Sequence, residues 1–362
     1  MKKVLIIVGT RPNFIKVTQF KRVAAEQPNL DVRIVHTGQH YDHDMADVFF
    51  KQFGLSPDYF LNIDPGSPNS QMANIMLGLE KLIEQEFNPD ILIVPGDVNS
   101  TFAAALTANK LGITLAHLES GLRSNDRAMP EEINRVLTDE ISDYYFVTEQ
   151  SGIDNLSEEK KCGTVHFVGN TMIDTLVAFD ANIDASEVLN RNNLRKKEFV
   201  LMTIHRPSNV DDQMGIEKLY QLILKLSARY KIVFPIHPRT SARIKQFNYV
   251  DKFESIENLI NTGPMGYFDF QKLVKNAAFI LTDSGGIQEE STFRKIPCLT
   301  LRANTERPST VDIGSNTLVD FDLNEISNYI NQIEQKNYKK GVIPDLWDGK
   351  ATERILDIII DS

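Results

Sequence analysis

Residues 281–290 read LTDSGGIQEE: an apolar run, a turn of small residues and then the start of a helix. Ser284, Gly285 and Gly286 can bring backbone N–H groups to the helix N-terminus, where unpaired donors and the helix dipole favour an anion. Glu290 falls about one turn into that helix, where its carboxylate can accept hydrogen bonds from ribose hydroxyls. The stretch therefore predicts a strand–turn–helix unit that binds the phosphates and ribose of a nucleotide-containing substrate.

The same alternation of short apolar runs and amphipathic segments extends along all 362 residues. It indicates βαβ units, and hence an α/β fold with parallel sheets covered by helices on both faces. The predicted strands are residues 3–8, 32–37, 91–95, 114–118, 144–147, 165–168, 199–204, 231–236, 258–261, 279–282 and 298–301. The predicted helices include residues 14–27, 101–111, 216–228, 268–276 and 351–360.

The length predicts two domains, because 362 residues exceed what one average hydrophobic core holds. Polar residues and a basic cluster interrupt the alternation at residues 179–197, so the connection lies there or slightly before. We assign residues 1–172 to an N-terminal Rossmann-like domain and residues 173–349 to a C-terminal one. A helix at about residues 350–362 could pack back on the N-terminal domain.

The composition argues against several classes of protein. A net charge of −10 speaks against broad electrostatic binding of nucleic acid or anionic membrane. No apolar run approaches the ~18–20 residues that span a bilayer. Cys162 and Cys298 lie far apart, outside any CxxC pair, which predicts a cytoplasmic protein without disulfides or a zinc site.

Neither a metal nor a redox cofactor is indicated. The segment His40-Tyr41-Asp42-His43-Asp44 contains metal-ligand residue types, but it lacks an H-x-x-x-H face and mixes hard and soft ligands. The turn after the first strand, GTRPNFIK at residues 9–16, is not G-x-G-x-x-G and so does not indicate a nicotinamide cofactor. Arg11 and Lys16 in this turn supply cationic donors, although such a turn is more often a plain loop.

Carboxylates follow two neighbouring predicted strands and begin the next helix. In parallel sheets, ligands bind outside the carboxyl ends of the strands. Asp97 follows the strand at 91–95, where it could equally be a turn or N-cap residue. Glu119 follows an apolar strand, and burying it without a partner is costly, which favours a functional role. Glu131 follows Pro130 at a helix start, where favourable dipole capping would also explain an acid.

The second half places cations at equivalent strand ends. His205 and Arg206 follow one strand and His237 follows the next. A single histidine there is usually structural, but two such segments suggest a positively charged wall for phosphate. Arg302 follows the strand at 298–301, and TERP at residues 305–308 comes next. With the SGG turn, these residues predict a nucleotide site.

The combination of motifs resembles the non-hydrolysing UDP-N-acetylglucosamine 2-epimerases over nearly the whole chain and in the same order. The matching segments are GTRPNFIK (9–16), TGQH (37–40), GD (96–97), HLESGLRS (117–124), MPEEINR (129–135), GNTMID (169–174), DSGGIQEE (283–290) and TERP (305–308). The resemblance implies two glycosyltransferase-B-like Rossmann domains with the active site in the cleft between them. It also suggests a homodimer, no cofactor, and a role in making precursors of bacterial surface polysaccharides.

The family's reaction accounts for the carboxylates. Loss of UDP from C1 of UDP-N-acetylglucosamine acidifies the C2 hydrogen, so elimination gives 2-acetamidoglucal and UDP. Re-addition with a proton delivered to the other face of C2 gives UDP-N-acetylmannosamine, which requires two proton-handling groups. The resemblance assigns catalytic roles to Asp97, Glu119, Glu131, Lys16 and His205. It assigns UDP-sugar binding to Arg11, Arg135, Arg206, His237, Ser284, Gly285, Gly286, Glu290 and Arg302.

The sequence departs from the family pattern in places, which leaves the substrate open. Asn13 stands where members often carry Glu, HRREN becomes HRPSN at residues 205–209, and HYDHDM at residues 40–45 resembles epimerases of 2,3-diacetamido-uronic acid sugars. The substrate could therefore be UDP-2,3-diacetamido-2,3-dideoxy-glucuronic acid. The motifs are also compatible with a UDP-sugar-dependent glycosyltransferase of the same architecture, with a hydrolysing epimerase, and with a non-catalytic nucleotide-sugar sensor.

Overall fold

The computed structural model describes residues 1–38, 50, 52–63 and 66–362, which form two units. The first unit comprises Met1–Ala178 and Asp345–Ser362, and the second comprises Phe179–Pro344. The predicted α/β class is confirmed, because each unit is built on a parallel sheet flanked by helices. In the described part of the chain, no helix is long and apolar enough to cross a membrane.

The first unit contains a sheet in which seven described strands follow the order β3-β2-β1-β4-β5-β6-β7. The strands are β1 (Lys2–Val8), β2 (Leu30–His36), β3 (Tyr59–Phe60), β4 (Ile91–Pro95), β5 (Thr114–Leu118), β6 (Tyr144–Val147) and β7 (Thr164–Phe167). The helices with described bounds among residues 1–178 are α1 (Arg11–Ile15), α2 (Phe20–Ala24), α3 (Pro68–Gln85), α4 (Asn99–Leu111), α5 (Pro130–Glu140), α6 (Gln150–Glu158) and α7 (Thr171–Ala178).

The second unit contains a sheet in which six described strands follow the order β10-β9-β8-β11-β12-β13. The strands are β8 (Phe199–Thr203), β9 (Lys231–Pro235), β10 (Leu259–Thr262), β11 (Phe279–Thr282), β12 (Cys298–Leu301) and β13 (Asn316–Val319). The helices are α8 (Asp180–Asp184), α9 (Val188–Arg191), α10 (Pro207–Val210), α11 (Gln213–Ser227), α12 (Pro238–Gln246), α13 (Val250–Glu254), α14 (Tyr267–Asn276), α15 (Gly285–Phe293), α16 (Pro308–Asp312) and α17 (Leu323–Glu334).

The central strands are continuous apolar runs because helices cover both faces of the sheet. Every residue of β4 and β11 is buried, and only the first two residues of β1 retain exposure. The predicted helix at residues 14–27 is wrong in detail. The chain instead forms α1 and α2, separated by a turn in which the carbonyl of Ile15 accepts a hydrogen bond from Thr175 Oγ1 at 2.6 Å.

The C-terminal segment packs on the first unit. Trp347 is buried, and its indole Nε1 donates to the carbonyl of Thr148 at 2.9 Å. The last helix, α18 (Ala351–Asp361), begins against the Asp174 carboxylate, which accepts from the backbone N–H of Ala351 at 3.1 Å and of Thr352 at 2.6 Å. This contact attaches the chain end to α7.

Candidate active site

The strand order determines where each sheet can bind a ligand. In the first sheet β1 and β4 are neighbours, and the chain winds away from them in opposite directions; β8 and β11 occupy the same position in the second sheet. Ligands of such sheets bind at this switch point, outside the carboxyl ends of the strands. The turns that follow these strands contain Arg11 and Lys16, Asp97, His205 and Arg206, and Ser284, Gly285 and Gly286.

A buried ion pair joins two of the predicted residues in the first unit. Lys16 Nζ lies 2.5 Å from Glu119 Oε2, and the two side chains are 7% and 3% exposed. Glu119 Oε1 has no hydrogen-bond partner among the described residues. The backbone of Glu119 has a φ of 68°, a left-handed conformation that costs a residue with a side chain about 1 kcal/mol or more. This carboxylate is therefore held by Lys16 through one oxygen only.

Gly96 and Asn13 complete the surroundings of Lys16. A Cβ at Gly96, whose φ is +70°, would lie 2.9 Å from Lys16 Nζ, so only glycine fits this turn. The Asn13 amide donates to the carbonyl of Pro95 at 2.9 Å and accepts from Thr10 Oγ1 at 2.8 Å. Asn13, which the sequence showed only as a departure from the family pattern, thus ties α1 to the end of β4.

Arg135 connects Asp97 to the start of α5. Its buried guanidinium forms ion pairs with Asp97 and with Glu132. The side chain of Asn134 also donates to the backbone carbonyl of Asp97, at 3.0 Å. Asp97 itself remains partly open, with 26% of its side chain exposed. Arg135, predicted to contact the substrate, lies in contact with the Asp97 carboxylate.

The two adjacent acids at the start of α5 occupy different environments. Glu132 is buried and accepts from the backbone N–H of Ser124 at 3.0 Å, from Ser124 Oγ at 2.9 Å and from the N–H of Asn125 at 2.9 Å. Glu131 is exposed. Glu132 therefore shapes the loop that follows Gly121, and Glu131 presents its carboxylate to solvent.

In the second unit, Asp283 organises the turn after β8. It is fully buried, and its carboxylate accepts from the N–H of His205 at 2.9 Å, the N–H of Arg206 at 2.7 Å and the Asn209 amide at 3.0 Å. His205 Nδ1 lies 3.0 Å from the other oxygen. Burial would raise the pKa of Asp283, but His205, Arg206 and Asn209 hold it below its ordinary value.

His205 and His237, predicted to line a phosphate site, lie against each other. Their rings stack, with centroids 4.9 Å apart. His237 Nδ1 accepts from the N–H of Arg239 at 3.1 Å, so the lone pair of this nitrogen is used in the hydrogen bond that caps α12. Burial, followed by the nearby charges of His205 and Arg239, lowers the pKa of His237. The neutral ring of His237 is therefore favoured at neutral pH.

The SGG turn opens α15 as predicted, with Ser284 at the N-cap; the Ser284 side chain makes no capping hydrogen bond, and its N–H donates to Thr282 Oγ1 at 3.0 Å. The first N–H groups of a helix have no intrahelical acceptor, so this turn can bind an anion. A Cβ at Gly285 would lie 2.8 Å from Glu306 Oε1 and 2.9 Å from Arg307 Nη1. Glu290 is buried within α15. The SGG turn thus lies directly against a charged pair from the TERP segment.

Arg302 is buried with donors still available. Its Nη2 donates to Glu306 Oε2 at 2.8 Å, and Glu306 also pairs with Arg307. Burial opposes ionisation of Glu306, but Arg307 and Arg302 hold its pKa far below the ordinary value. Nε and Nη1 of Arg302 have no hydrogen-bond partner among the residues that the structure describes. These two buried donors suit an anionic ligand.

The remaining candidate residues are an exposed arginine, a segment outside the described residues and three buried residues that the sequence did not single out. Arg11 is exposed at the start of α1. The metal-like segment at residues 40–44 lies outside the described residues. Sequence reasoning missed Asp283, His117 and Asp139 as site residues. A polar residue within or directly after a fully apolar strand was the available signal for Asp283 and His117, the same signal that selected Glu119.

Comparison with known proteins identifies the family. The family model for UDP-N-acetylglucosamine 2-epimerases matches residues 22–360. The UDP-N-acetylglucosamine 2-epimerase of Methanocaldococcus jannaschii is 41% identical over 99% of this chain and 98% of its own length. The chain belongs to the UDP-N-acetylglucosamine 2-epimerase family. The motif resemblance found in the sequence is thereby confirmed.

Solved structures of this epimerase family have the same fold. The crystal structure of the M. jannaschii enzyme in complex with UDP-GlcNAc and UDP matches with a TM-score of 0.88, at 40% identity, over 99% of this chain and all of that one. A Pseudomonas aeruginosa relative, UDP-2,3-diacetamido-2,3-dideoxy-D-glucuronate 2-epimerase, is 37% identical over 88% of both chains. A plant UDP-sugar glycosyltransferase shares only the fold, with a TM-score of 0.64 at 12% identity.

Proposed function

We propose that this protein is a non-hydrolysing epimerase that interconverts UDP-N-acetylglucosamine and UDP-N-acetylmannosamine. The observation that carries the proposal is the buried Lys16–Glu119 pair at the switch point of the first sheet, beside the turn that bears Asp97. A base at this place fits abstraction of a carbon-bound proton, because one Glu119 oxygen is held and the other has no hydrogen-bond partner among the described residues.

The proposed reaction has two steps. In the first, a carboxylate takes the C2 proton, the C2–H electron pair forms the C1=C2 bond, and the C1–O bond breaks so that UDP leaves with its electron pair. In the second, a phosphate oxygen of UDP attacks C1 while a proton is delivered to the opposite face of C2. The products balance without a redox partner, and two proton-handling groups are needed.

The first unit supplies the acid/base groups in this proposal. Asp97, Glu119 and Glu131 share the proton transfers, and Lys16 orients Glu119 through their ion pair. Arg135 orients Asp97, with which it also forms an ion pair. Because Glu131 is exposed at the start of α5, it can reach a bound sugar without breaking an existing buried contact.

The second unit supplies the nucleotide-binding groups. The Ser284–Gly286 turn, through the N–H groups of Gly285 and Gly286, and the Nε and Nη1 donors of Arg302 bind the diphosphate, both as part of the substrate and as the leaving group. Arg206 adds positive charge beside it, and His205, oriented by Asp283 and stacked on His237, lies next to it. Arg11 contributes a further cation from the first unit, and Glu290 holds the ribose hydroxyls.

The sugar could carry additional groups, because a relative that is 37% identical is named for a 2,3-diacetamido-uronic acid substrate. We favour UDP-N-acetylglucosamine, since the M. jannaschii relative with this name is 41% identical over almost the full length of both chains. A glycosyltransferase is not favoured: activating an acceptor requires about one base, whereas the proposal assigns three acids, Asp97, Glu119 and Glu131. We further propose a cytoplasmic homodimer, which light scattering of the purified protein would test.

Incubation with UDP-N-acetylglucosamine in D₂O, without an acceptor, tests the proposal. Proton NMR should show loss of the C2 proton signal and the appearance of UDP-N-acetylmannosamine, with the nucleotide sugar otherwise intact. Transfer or hydrolysis of the sugar without C2 exchange would contradict it. A parallel reaction with the 2,3-diacetamido-uronic acid substrate compares the two sugars by their kcat/KM.

A further inference from the structure

A fully buried charge network lies behind the acids of the first unit. His117, on β5, and Asp139, near the end of α5, are both inaccessible to solvent. His117 Nδ1 lies 2.6 Å from Asp139 Oδ1, and His117 Nε2 lies 2.8 Å from the carbonyl oxygen of Gly96. The second oxygen of Asp139 accepts from the N–H of Gly121 at 3.1 Å and lies 2.7 Å from Arg123 Nη1.

Both partners of the His117 ring are hydrogen-bond acceptors. A carbonyl oxygen can only accept, so Nε2 must carry the proton that bonds to Gly96. Burial opposes ionisation of Asp139, but His117 and Arg123 hold its pKa below the ordinary value, so the carboxylate also only accepts. The ring of His117 therefore bridges the Gly96 carbonyl and the Asp139 carboxylate. Arg123 is balanced by Glu159, which it contacts through two hydrogen bonds of 2.7 and 2.8 Å.

This pair reaches the turns that carry two of the three predicted acids of the first unit, Asp97 and Glu119. Gly96 directly precedes Asp97, and Gly121 follows Glu119 by two residues. The backbone of Glu119 is in the left-handed region and must be kept there by its surroundings. On one side the N–H of Glu119 bonds to the carbonyl of Phe146 at 3.1 Å, and on the other Asp139 holds Gly121.

We propose that Asp139 and His117 are positioning residues that fix the Asp97 turn relative to Glu119, and thereby the two proton-transfer groups relative to the two faces of C2. The proposal rests on the epimerase function above. Asp139 connects the two turns: one carboxylate oxygen contacts the His117 ring, which bonds to the carbonyl of Gly96, and the other accepts from the N–H of Gly121. An apolar pair could fill the same space, but it could not bind both backbones.

The competing explanation is a purely structural ion pair. Replacing a buried ion pair often leaves stability unchanged or improved, whereas removing one partner is strongly destabilising. Loss of stability therefore does not discriminate between the two roles. The discriminating quantity is the number of deuterium atoms that enter C2 of recovered substrate for each epimer formed in D₂O. This ratio is counted per reaction event, so it does not depend on how much of the sample is folded.

The test uses Asp139→Asn and His117→Gln, with Tyr145→Phe as the matched control. Tyr145 OH donates to the backbone carbonyl of Asp139 at 2.8 Å, so its loss perturbs the same buried residue without touching the carboxylate. For the two network variants we expect kcat to fall by about 10- to 100-fold, as for a small misplacement of reacting groups. The dissociation constant for UDP should stay within about twofold of wild type, since each decade of affinity requires ~1.4 kcal/mol.

In both variants we expect several-fold more deuterium at C2 of the recovered substrate for each epimer formed. Abstraction of the C2 proton on one face continues, while delivery of a proton to the other face becomes less frequent. Tyr145→Phe should keep the wild-type ratio and kcat. The proposal is overturned if a network variant matches Tyr145→Phe in both quantities; where Asp139→Asn does not fold, His117→Gln provides the result. A wild-type protein that shows no C2 exchange would instead refute the epimerase function itself.

Discussion

Lys16 and Glu119 form a 2.5 Å ion pair between two side chains that are almost fully buried, although they are 103 residues apart in the chain. The pair uses one oxygen of the carboxylate, and the other has no hydrogen-bond partner among the described residues. A buried polar atom without a partner costs about 1–3 kcal/mol, which a purely structural glutamate would be expected to avoid. Glu119 is therefore positioned to act as a base on a bound ligand through its second oxygen.

Glu119→Gln should abolish C2 exchange and leave UDP binding almost unchanged. The amide keeps the shape of the carboxylate but cannot accept the C2 proton, and general-base catalysis contributes about 10²- to 10⁴-fold. The measurement is deuterium incorporation by NMR beside UDP titration calorimetry. A large loss of UDP affinity in this variant would contradict the assigned role.

The adjacent acids of α5 offer a matched pair of substitutions. Glu131→Gln should lower kcat by at least about tenfold without changing the melting temperature, because the exposed side chain acts only on substrate. Glu132→Gln should lower the melting temperature, since Glu132 accepts from two backbone N–H groups and pairs with buried Arg135. Thermal unfolding and steady-state kinetics on both variants check this. Equal effects on kcat and on stability in the two variants would refute the division of roles.

The sequence predicted the strands well because buried parallel strands are uniform apolar runs. β4, β5, β6, β11 and β12 have the predicted bounds. It missed β3, which has only two residues, and β13, whose Asn316-Thr317 start is polar. The helix predicted at 14–27 is interrupted because Thr175, distant in sequence, occupies the carbonyl of Ile15. Tertiary contacts of this kind are not visible in a local pattern.

For the site, the position of the acids after the strands could be predicted, but their partners could not. The motif PEE does not distinguish Glu131 from Glu132. They differ in the folded protein because Glu132 accepts hydrogen bonds from the loop at Ser124. His117 belonged to a recognised motif, yet its partner Asp139 lies 22 residues further along. Such a pairing depends on how α5 packs against β5.

Asp283→Asn should weaken UDP binding. It should also reduce the amount by which the melting temperature falls when the pH is lowered from neutral to acid. The folded-state pKa of Asp283 lies below its ordinary value of 3.8, so its carboxylate stabilises the fold above that pH, and this contribution is lost as pH falls through the lowered pKa. The variant should therefore melt at lower temperature at neutral pH and approach wild type in acid. Melting curves across pH and UDP titrations provide the measurement.

Exposed Asp251 is a control for Asp283, because its replacement by Asn changes the same charge without removing a turn contact. Asp251→Asn should reproduce the wild-type melting curve at each pH. If Asp283→Asn behaved like Asp251→Asn, the turn at His205 would not depend on the carboxylate.

Asp174→Ala should loosen the C-terminal helix. The carboxylate caps α18 through the N–H groups of Ala351 and Thr352, and loss of a cap costs about 0.5–2 kcal/mol. Burial raises the pKa of Asp174 above its ordinary value of 3.8, so the stabilisation is fully present below that value and decreases as pH rises through the raised pKa. The difference in melting temperature from wild type should therefore be larger in acid than at neutral pH. Asp348→Ala removes an exposed pair with Arg354 and an exposed hydrogen bond from the N–H of Lys350, and it should cost less than about 1 kcal/mol. An equal effect of both variants would contradict the capping role of Asp174.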